Sequence, residues 1–248
     1  MRRLNIALPA LLLSLIVGGI VPVRAQEQGV KLPALAPFKT VRDTFIQTFN
    51  GRPLQVCQSE WESWNRVHGA CRDLVTATTR DQELIAGILV EFVFYDGVHY
   101  QRVNDEVTWT ASHDERYDPD LALTDMFFKV NYAAVLTRIG PANIGNIPTT
   151  QYQYWSLDKT FNEKVGGQAV YDLFLSAENY VISDVFSARG NIPGLGDGTL
   201  AQTWIYSDFD APIVIAPPAA GQVRAASVGM VSISDLSLSF GENFHIAQ

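Results

Sequence analysis

The chain has 248 residues, with 26 Asp and Glu against 18 Lys and Arg, and a formal net charge of −8. Hydrophobic residues make up 47% of the chain and charged residues 18%, which excludes an intrinsically disordered or a fibrous protein. The acidic balance argues against nucleic acid as a partner, because nucleic-acid binding needs clustered Lys and Arg. An aromatic content of 11% predicts instead a chain that buries a large apolar surface.

The N-terminal segment has the three parts of a secretory signal peptide. Arg2 and Arg3 precede an apolar run from Leu4 to Val23, and Val23-Arg24-Ala25 places small residues at the −3 and −1 positions of a cleavage site. We therefore expect residues 1–25 to be a signal peptide and the bacterial chain to be exported and soluble after cleavage near Ala25. The alternative is an N-terminal anchor, because the run approaches the roughly 20 residues that a membrane span needs.

The rest of the chain divides into three predicted parts. Residues 26–37 form a Pro-containing linker, residues 38–218 one β-rich domain, and residues 219–248 a C-terminal extension with one strand candidate, Val231–Phe240. The acidic charge predicts a soluble protein whose contact with a membrane is at most transient. We expect the domain to be a monomer.

Two segments have apolar residues at helical spacing. Phe38–Phe49 repeats them in steps of three and four, and Asn50-Gly51 follows as a stop signal. Leu121–Ile139 shows the same spacing and is followed by Gly140-Pro141. The pattern predicts a helix in each segment.

Strand patterns dominate the remainder. Asp96-Gly97 lies between two runs rich in Val, Ile and aromatic residues, which predicts a two-residue hairpin turn. The strand candidates, separated by short turns, are Ile85–Tyr95, Val98–Val103, Val107–Thr110, Thr150–Leu157, Gln168–Ser176, Tyr180–Ser187 and Leu200–Ser207. Many strands with short turns predict an antiparallel sheet in an all-β or α+β fold.

Cys57 and Cys71 are the only two cysteines. In an oxidising compartment, two cysteines at this spacing predict one disulfide. The segment between them contains Trp61, Trp64 and His68. It can be a stapled excursion whose tryptophans cover the edge of the core, or a flap that contacts a ligand.

The predicted strands are apolar on both faces. If Asp96-Gly97 is a turn, Phe94 faces His99, while Val93 and Tyr100 share the other side. Either both faces are packed by protein, or one of them lines an apolar cavity. In the second case the candidate lining residues are Phe92, Phe94, Tyr100, Trp109, Met126, Phe127, Trp155, Tyr171, Phe174 and Trp204.

The sequence contains no nucleophile elbow, zinc-protease motif or phosphate-binding loop. The four histidines are scattered, and neither cysteine has a partner at metal-ligand spacing. The acidic residues around Tyr117 are best explained as a solvated loop. We therefore predict no catalytic residue, no metal and no cofactor. A hydrolase that uses His113 and Asp118 with distant residues is kept as an alternative.

Two stretches resemble a known family. Tyr95–Arg102, followed by Trp109, resembles the hairpin "D-G-V-x-Y-x-R … W" of exported lipoprotein-carrier-like domains, the LolA-like superfamily and especially its LppX/LprG-like branch. Trp204–Pro218 is similar to the closing segment of that family. The resemblance covers about residues 38–218. Three features depart from the family pattern: the missing lipobox cysteine, the Cys57/Cys71 pair, and the tail beyond Pro218.

The resemblance implies an α+β fold: a curved, unclosed antiparallel β-sheet, or half-barrel, with helices inserted on its concave face. It also implies a hydrophobic cavity for acyl chains. We therefore expect an exported, non-enzymatic protein that binds a lipid or another apolar ligand as a carrier or sensor. The alternatives are a cell-envelope module for structure or protein interaction without a cavity, and the hydrolase.

Overall fold

The computed structural model describes residues 27–74, 87–113, 123, 136–155, 169–192 and 195–225. The predicted signal peptide, most of Leu121–Ile139, the acids near Tyr117 and the candidate strand Val231–Phe240 lie outside these ranges. The described strands are β1 (Glu27–Val30), β2 (Val41–Phe49), β3 (Arg52–Ser63), β4 (Arg66–Asp73), β5 (Leu89–Tyr95), β6 (Val98–Val103), β7 (Trp109–His113), β8 (Leu136–Ile144), β9 (Ile147–Trp155), β10 (Ala169–Leu175), β11 (Val181–Ile192), β12 (Gly196–Ser207) and β13 (Val223–Ala225).

All these strands belong to one sheet with the order β1-β8-β9-β10-β11-β12-β2-β3-β4-β5-β6-β7-β13. Neighbouring strands are antiparallel, except for the parallel pair of β13 with β7. The order is linear, so β1 and β13 are edges and the sheet is unclosed. The pairing of β2 with β12 joins the first and last long strands at the centre.

The predicted α+β class is wrong, because the described residues form strands, turns and one 3-10 helix, Ala220–Gln222, and Leu123 is the one described residue in an α-helical conformation. The segment predicted as the first helix is β2. Its buried face carries Asp43 and Gln47 as well as Val41. Those two polar residues interrupt the apolar alternation that identifies a strand, and the remaining apolar residues fall at helical steps. Pairing with β3 and β12 then overrides the local spacing.

The predicted insertion of helices on the concave face is also wrong for the described part of the chain. Leu136–Ile139, the end of the second predicted helix, begins β8, and Gly140-Pro141 lies inside that strand. The register shifts between Arg138 and Gly140, where Gly140 has φ 134°. A bulge at a glycine therefore replaces the expected helix end. Leu123, the single described residue between 114 and 135, is buried in the core.

The hairpin predicted at Asp96-Gly97 is confirmed. Both turn residues have positive φ, 45° and 90°, as a type I′ turn requires. Phe94 faces His99 and Val93 faces Tyr100, as the sequence predicts.

Directly paired residues share a face of the sheet and consecutive residues alternate between faces, so the register divides the side chains into two sets. We call the side that carries Trp204 the Trp204 face and the opposite side the Trp109 face. Trp204 is paired with Phe45 and Asp184. Thr110 lies on the Trp204 face, because it is paired with Gln101 and the pairings continue through β5, β4, β3 and β2 to β12. Trp109 is the adjacent residue and therefore lies on the opposite face.

The two largest clusters of buried apolar side chains lie on the Trp204 face, and Trp204 packs against both of them. Residues before β2 contribute to one cluster through Leu32 and Phe38, which are 7% and 6% exposed. A third cluster, which includes Val93 and Trp109, lies on the Trp109 face.

Cys57 and Cys71 form a disulfide between directly opposed residues of β3 and β4. The segment between them is a hairpin of the sheet, with a register shift between Trp61 and Ser63, and not an excursion from the sheet. Trp61 and Trp64 stack with ring centroids 6.0 Å apart, and Trp64 is 6% exposed. In the described part of the chain, no helix has the length and hydropathy of a membrane span.

Candidate functional site

The register divides the candidate lining residues between the two faces. Four of them lie on the Trp204 face: Phe92, Phe94, Tyr171 and Trp204. Four lie on the Trp109 face: Tyr100, Trp109, Trp155 and Phe174. Met126 and Phe127 are outside the described residues. The eight described residues therefore do not line one common surface, and the four on the Trp204 face share that face but are spread over β5, β10 and β12.

The Trp109 face is covered at one end by the chain that follows β12. Ile213 and Ile215 are both 6% exposed and pack with Trp109 and Val93. The backbone N–H of Ile215 donates a 2.7 Å hydrogen bond to Glu62. We call residues 208–219 the strap. The strap accounts for the burial of Trp109 without a ligand.

The centre of the Trp204 face consists of lateral rows of side chains that cross several strands. One row runs through Tyr152, Leu173, Asp184, Trp204, Phe45, Cys57 and Cys71. The next row runs through Tyr154, Tyr171, Phe186, Gln202, Gln47, Gln55 and Asp73. Aromatic and polar side chains therefore lie side by side on one continuous surface, and the second row is aromatic on β9 to β11 and polar from β12 to β4.

The aromatic rings in these rows are in contact with one another. Phe45 and Trp204 have centroids 4.9 Å apart, and Tyr154 and Tyr171 stack at 4.8 Å. All four residues are half-buried, although neighbouring strands flank each of them on both sides. The middle of the Trp204 face therefore offers aromatic surface that is still accessible.

Two carboxyl groups on this face are withdrawn from solvent: Asp43 is a buried residue, and Asp184 is half-buried with its Oδ1 atom inaccessible. Asp43 is 7% exposed and accepts a 3.1 Å hydrogen bond from Trp61 Nε1. Burial raises the pKa of Asp43 to about 6, because an apolar environment disfavours the charged form. Burial, with a smaller contribution from the charge of Asp172, raises the pKa of Asp184 to about 7.

Tyr206 and Gln202 lie beside these carboxyl groups. Tyr206 is directly opposite Asp43 and is 3% exposed. Burial raises the pKa of the Tyr206 hydroxyl, and the charges of Asp184 and Asp43 raise it further. Gln202 is 1% exposed, and neither of its amide atoms has a hydrogen-bond partner among the described residues.

Sequence reasoning missed Asp43, Asp184, Gln202 and Tyr206. Each lies on the face of its strand that is turned toward the core, among mostly apolar residues two positions away. That placement is the one signal that could have identified it. In β12, Leu200, Gln202, Trp204 and Tyr206 share a face. A polar residue within such a series marks a buried polar position once the strand is recognised.

The described histidines do not form an acid-base site. His68 Nε2 is 2.9 Å from Glu91 Oε1, and His99 is buried with its ring stacked 4.4 Å from that of Phe94. His113 is exposed at the end of β7, and the acids of the hydrolase alternative are outside the described residues. Among the residues that the structure describes, no three His, Cys, Asp or Glu side chains are grouped as metal ligands.

The chain matches no protein-family model, and no curated protein is similar to it in sequence. Solved structures to which it is similar include lipoprotein LppX of Mycobacterium tuberculosis, with 10% identity over 72% of this chain and 90% of that chain and a TM-score of 0.45. An uncharacterized conserved protein from Thermus thermophilus is 10% identical over 76% and 91%, with a TM-score of 0.36. A LolA superfamily protein from Nitrosomonas europaea is 10% identical over 74% and 90%, with a TM-score of 0.25.

Proposed function

We propose that this protein is an exported, non-enzymatic carrier or sensor that holds a lipid or another apolar molecule against the Trp204 face. The observation that carries the proposal is the accessible aromatic surface at the centre of the sheet. Phe45, Trp204 and Tyr171 are half-buried there. A filled core buries such rings, because protein interiors pack without gaps. Accessible apolar surface within a framework of strands is typical of sites for apolar ligands.

The binding energy of such a site comes from burial. Each methylene group of an acyl chain that leaves water contributes about 0.8 kcal/mol, so a long chain needs little specific recognition. The family resemblance of the Asp96-Gly97 hairpin and the strap region implies the same role. The protein would act as a monomer that contacts a membrane only during exchange of its ligand, in keeping with its net charge of −8.

The first experiment examines export and natural cargo. The full chain is produced in a bacterium, and the exported form is purified without detergent. We expect N-terminal sequencing to begin at Gln26, after Ala25, and organic extraction with mass spectrometry to release a lipid in a near-stoichiometric amount. A lipid-free protein of defined tertiary structure, together with a specific protein partner in pull-downs, would favour the alternative of a structural module.

The second experiment asks whether the Trp204 face is the binding surface. Two matched tryptophan variants, Trp204→Leu and Trp155→Leu, are delipidated and titrated with N-phenyl-1-naphthylamine, a neutral apolar fluorophore. Trp155 lies on the Trp109 face and is 45% exposed. We expect Trp204→Leu to weaken binding of the fluorophore by about tenfold, equivalent to about 1.4 kcal/mol, and Trp155→Leu to leave it unchanged.

Near-ultraviolet circular dichroism and urea unfolding of both variants establish that each retains its tertiary structure. Equal fluorophore affinity in the two folded variants would contradict the assignment of the Trp204 face. A second substitution on the same face, Tyr171→Leu, gives an independent measurement if Trp204→Leu does not fold.

A further inference from the structure

The Trp204 face contains buried polar atoms that have no hydrogen-bond partner among the residues that the structure describes. They are both amide atoms of Gln202 and Oδ1 of Asp184. Gln202 is 1% exposed, so its amide cannot reach bulk water. A buried polar group without a hydrogen bond destabilises the fold, and native structures contain few of them. These two groups therefore point to a partner that the described part of the chain does not supply.

The two groups are neighbours on one surface. Asp184 is directly opposite Trp204 on β12, and Gln202 is directly opposite Phe186 on β11. The carboxyl and the amide are thus diagonal neighbours on the same face of adjacent strands, a spacing within reach of long side chains. Both are set among the rings of Trp204 and Phe186.

Other buried polar side chains on this face have partners. Asp43 accepts a hydrogen bond from Trp61, and Gln55 Nε2 donates to Asp73 Oδ1 at 2.8 Å. Among the described residues, the only other buried side-chain atom without a partner is Thr149 Oγ1, on the opposite face of β9. The missing partners are therefore concentrated at Asp184 and Gln202.

We propose that Asp184 and Gln202, once the side chains that cover them move aside on binding, bind the polar group of the ligand, which is an uncharged group that both donates and accepts hydrogen bonds, such as the hydroxyl of a long-chain alcohol. This inference rests on the proposed function and names the ligand class. An amide offers one acceptor and two donor hydrogens, and a carboxyl oxygen adds a further acceptor. A hydroxyl can donate to Asp184 Oδ1 or Gln202 Oε1 while it accepts from Gln202 Nε2.

The charge of the site disfavours an anionic ligand. In the described strands β10, β11, β12 and β2, the Trp204 face carries Asp43 and Asp184 but no lysine or arginine, because Arg42 and Arg189 lie on the other face. A carboxylate ligand would meet like charge in these four strands, and Arg138, the arginine in the same lateral row, lies three strands away from Asp184 on β8. The raised pKa of Asp184, about 7 because of burial, agrees with a site that favours neutral groups.

The experiment compares three ligands with the same C18 chain: oleyl alcohol, methyl oleate and oleate. Each displaces N-phenyl-1-naphthylamine from the delipidated protein at pH 8. We expect oleyl alcohol to bind about tenfold more tightly than methyl oleate, which lacks a donor, and more tightly than oleate.

Gln202→Leu removes the amide and keeps a similar volume. We expect the preference for alcohol over ester to disappear, the affinity for methyl oleate to be kept, and the ligand-free protein to become more resistant to urea. Gln55→Leu is the matched control, because it removes an amide that has a partner. We expect this control to keep the preference and to be less stable, since Asp73 loses its donor. Gln202→Met repeats the measurement if the leucine variant does not fold.

The outcomes separate the two proposals. Binding of all three ligands without a preference for the alcohol would overturn this inference and leave the proposed function intact. Binding of none of them would overturn the proposed function. A preference for the alcohol that survives in both Gln202→Leu and Gln202→Met would show that another group recognises the hydroxyl, and would also overturn the inference.

Discussion

Asp184→Asn should stabilise the ligand-free protein by an amount that grows with pH. Burial raises the pKa of Asp184 from an ordinary value of 3.8 to about 7. Between these two pH values the unfolded chain has released the proton and the folded chain still holds it. The folded state therefore loses stability as pH rises toward 7, by about 1.4 kcal/mol per pH unit. Asparagine does not titrate, so the variant avoids this loss.

The size of this stability difference follows from the pH interval in which Asp184 is protonated in the folded state and ionised in the unfolded state. From pH 4.5 to the folded-state pKa of about 7, the stability difference between variant and wild type should widen by about 3 kcal/mol. It should stay constant above pH 8. The comparison removes the contributions of other titrating groups, because both proteins carry them.

Urea unfolding of delipidated wild type and variant at pH 4.5, 5.5, 6.5, 7.5 and 8.5 measures this difference. Asp197→Asn is the control, because Asp197 is an exposed acid on the same strand as Gln202. We expect only a small effect from the control at every pH. A difference between Asp184→Asn and wild type that is constant from pH 4.5 to 8.5 would refute the conclusion that Asp184 is buried with a raised pKa.

Three further predictions concern the framework of the site. Reduction of the disulfide should lower the free energy of unfolding by about 3 kcal/mol, and urea unfolding with and without dithiothreitol checks this; an unchanged midpoint would contradict it. Gly69→Ala should destabilise by about 1–3 kcal/mol, because a Cβ at Gly69 would lie 2.5 Å from Cζ of Phe92. Thermal unfolding measures that loss, which should become smaller when Phe92→Leu is added. Ile215→Ala should lower the free energy of unfolding by about 2–4 kcal/mol. It should also speed amide hydrogen exchange in the strap, while exchange at the centre of β11 should stay slow.

The sequence predicted the elements whose structure depends on local chemistry. Asp96 and Gly97 form a turn with positive φ, and the alternation on either side sets the pairing of Phe94 with His99. Both effects depend on neighbours within a few residues. Val98–Val103, which follows this turn, was therefore predicted with the bounds observed, whereas β3 and β4 were not predicted as strands.

β2 could not be recognised in this way. Its buried face includes Asp43 and Gln47, and its partners β3 and β12 differ greatly in distance along the chain. A polar residue on the buried face of a strand interrupts the alternation of apolar and polar residues that identifies a strand. The apolar residues that remain are spaced as in a helix. The same polar positions belong to the candidate site, which is why fold prediction and site prediction failed at the same residues.

By itself, the sequence determined that the chain is rich in antiparallel strands, acidic, and apolar on both faces of those strands. Only the tertiary structure decided which face each residue occupies. Tyr100 and Trp109 belong to the side covered by the strap, whereas Trp204 and Tyr171 share the opposite side with Asp184 and Gln202. The physical reason is that two directly paired residues lie on the same face, so the face of each residue depends on the pairing register of every strand between it and its reference. That register joins residues far apart in the chain, as in the pairing of Phe45 with Trp204.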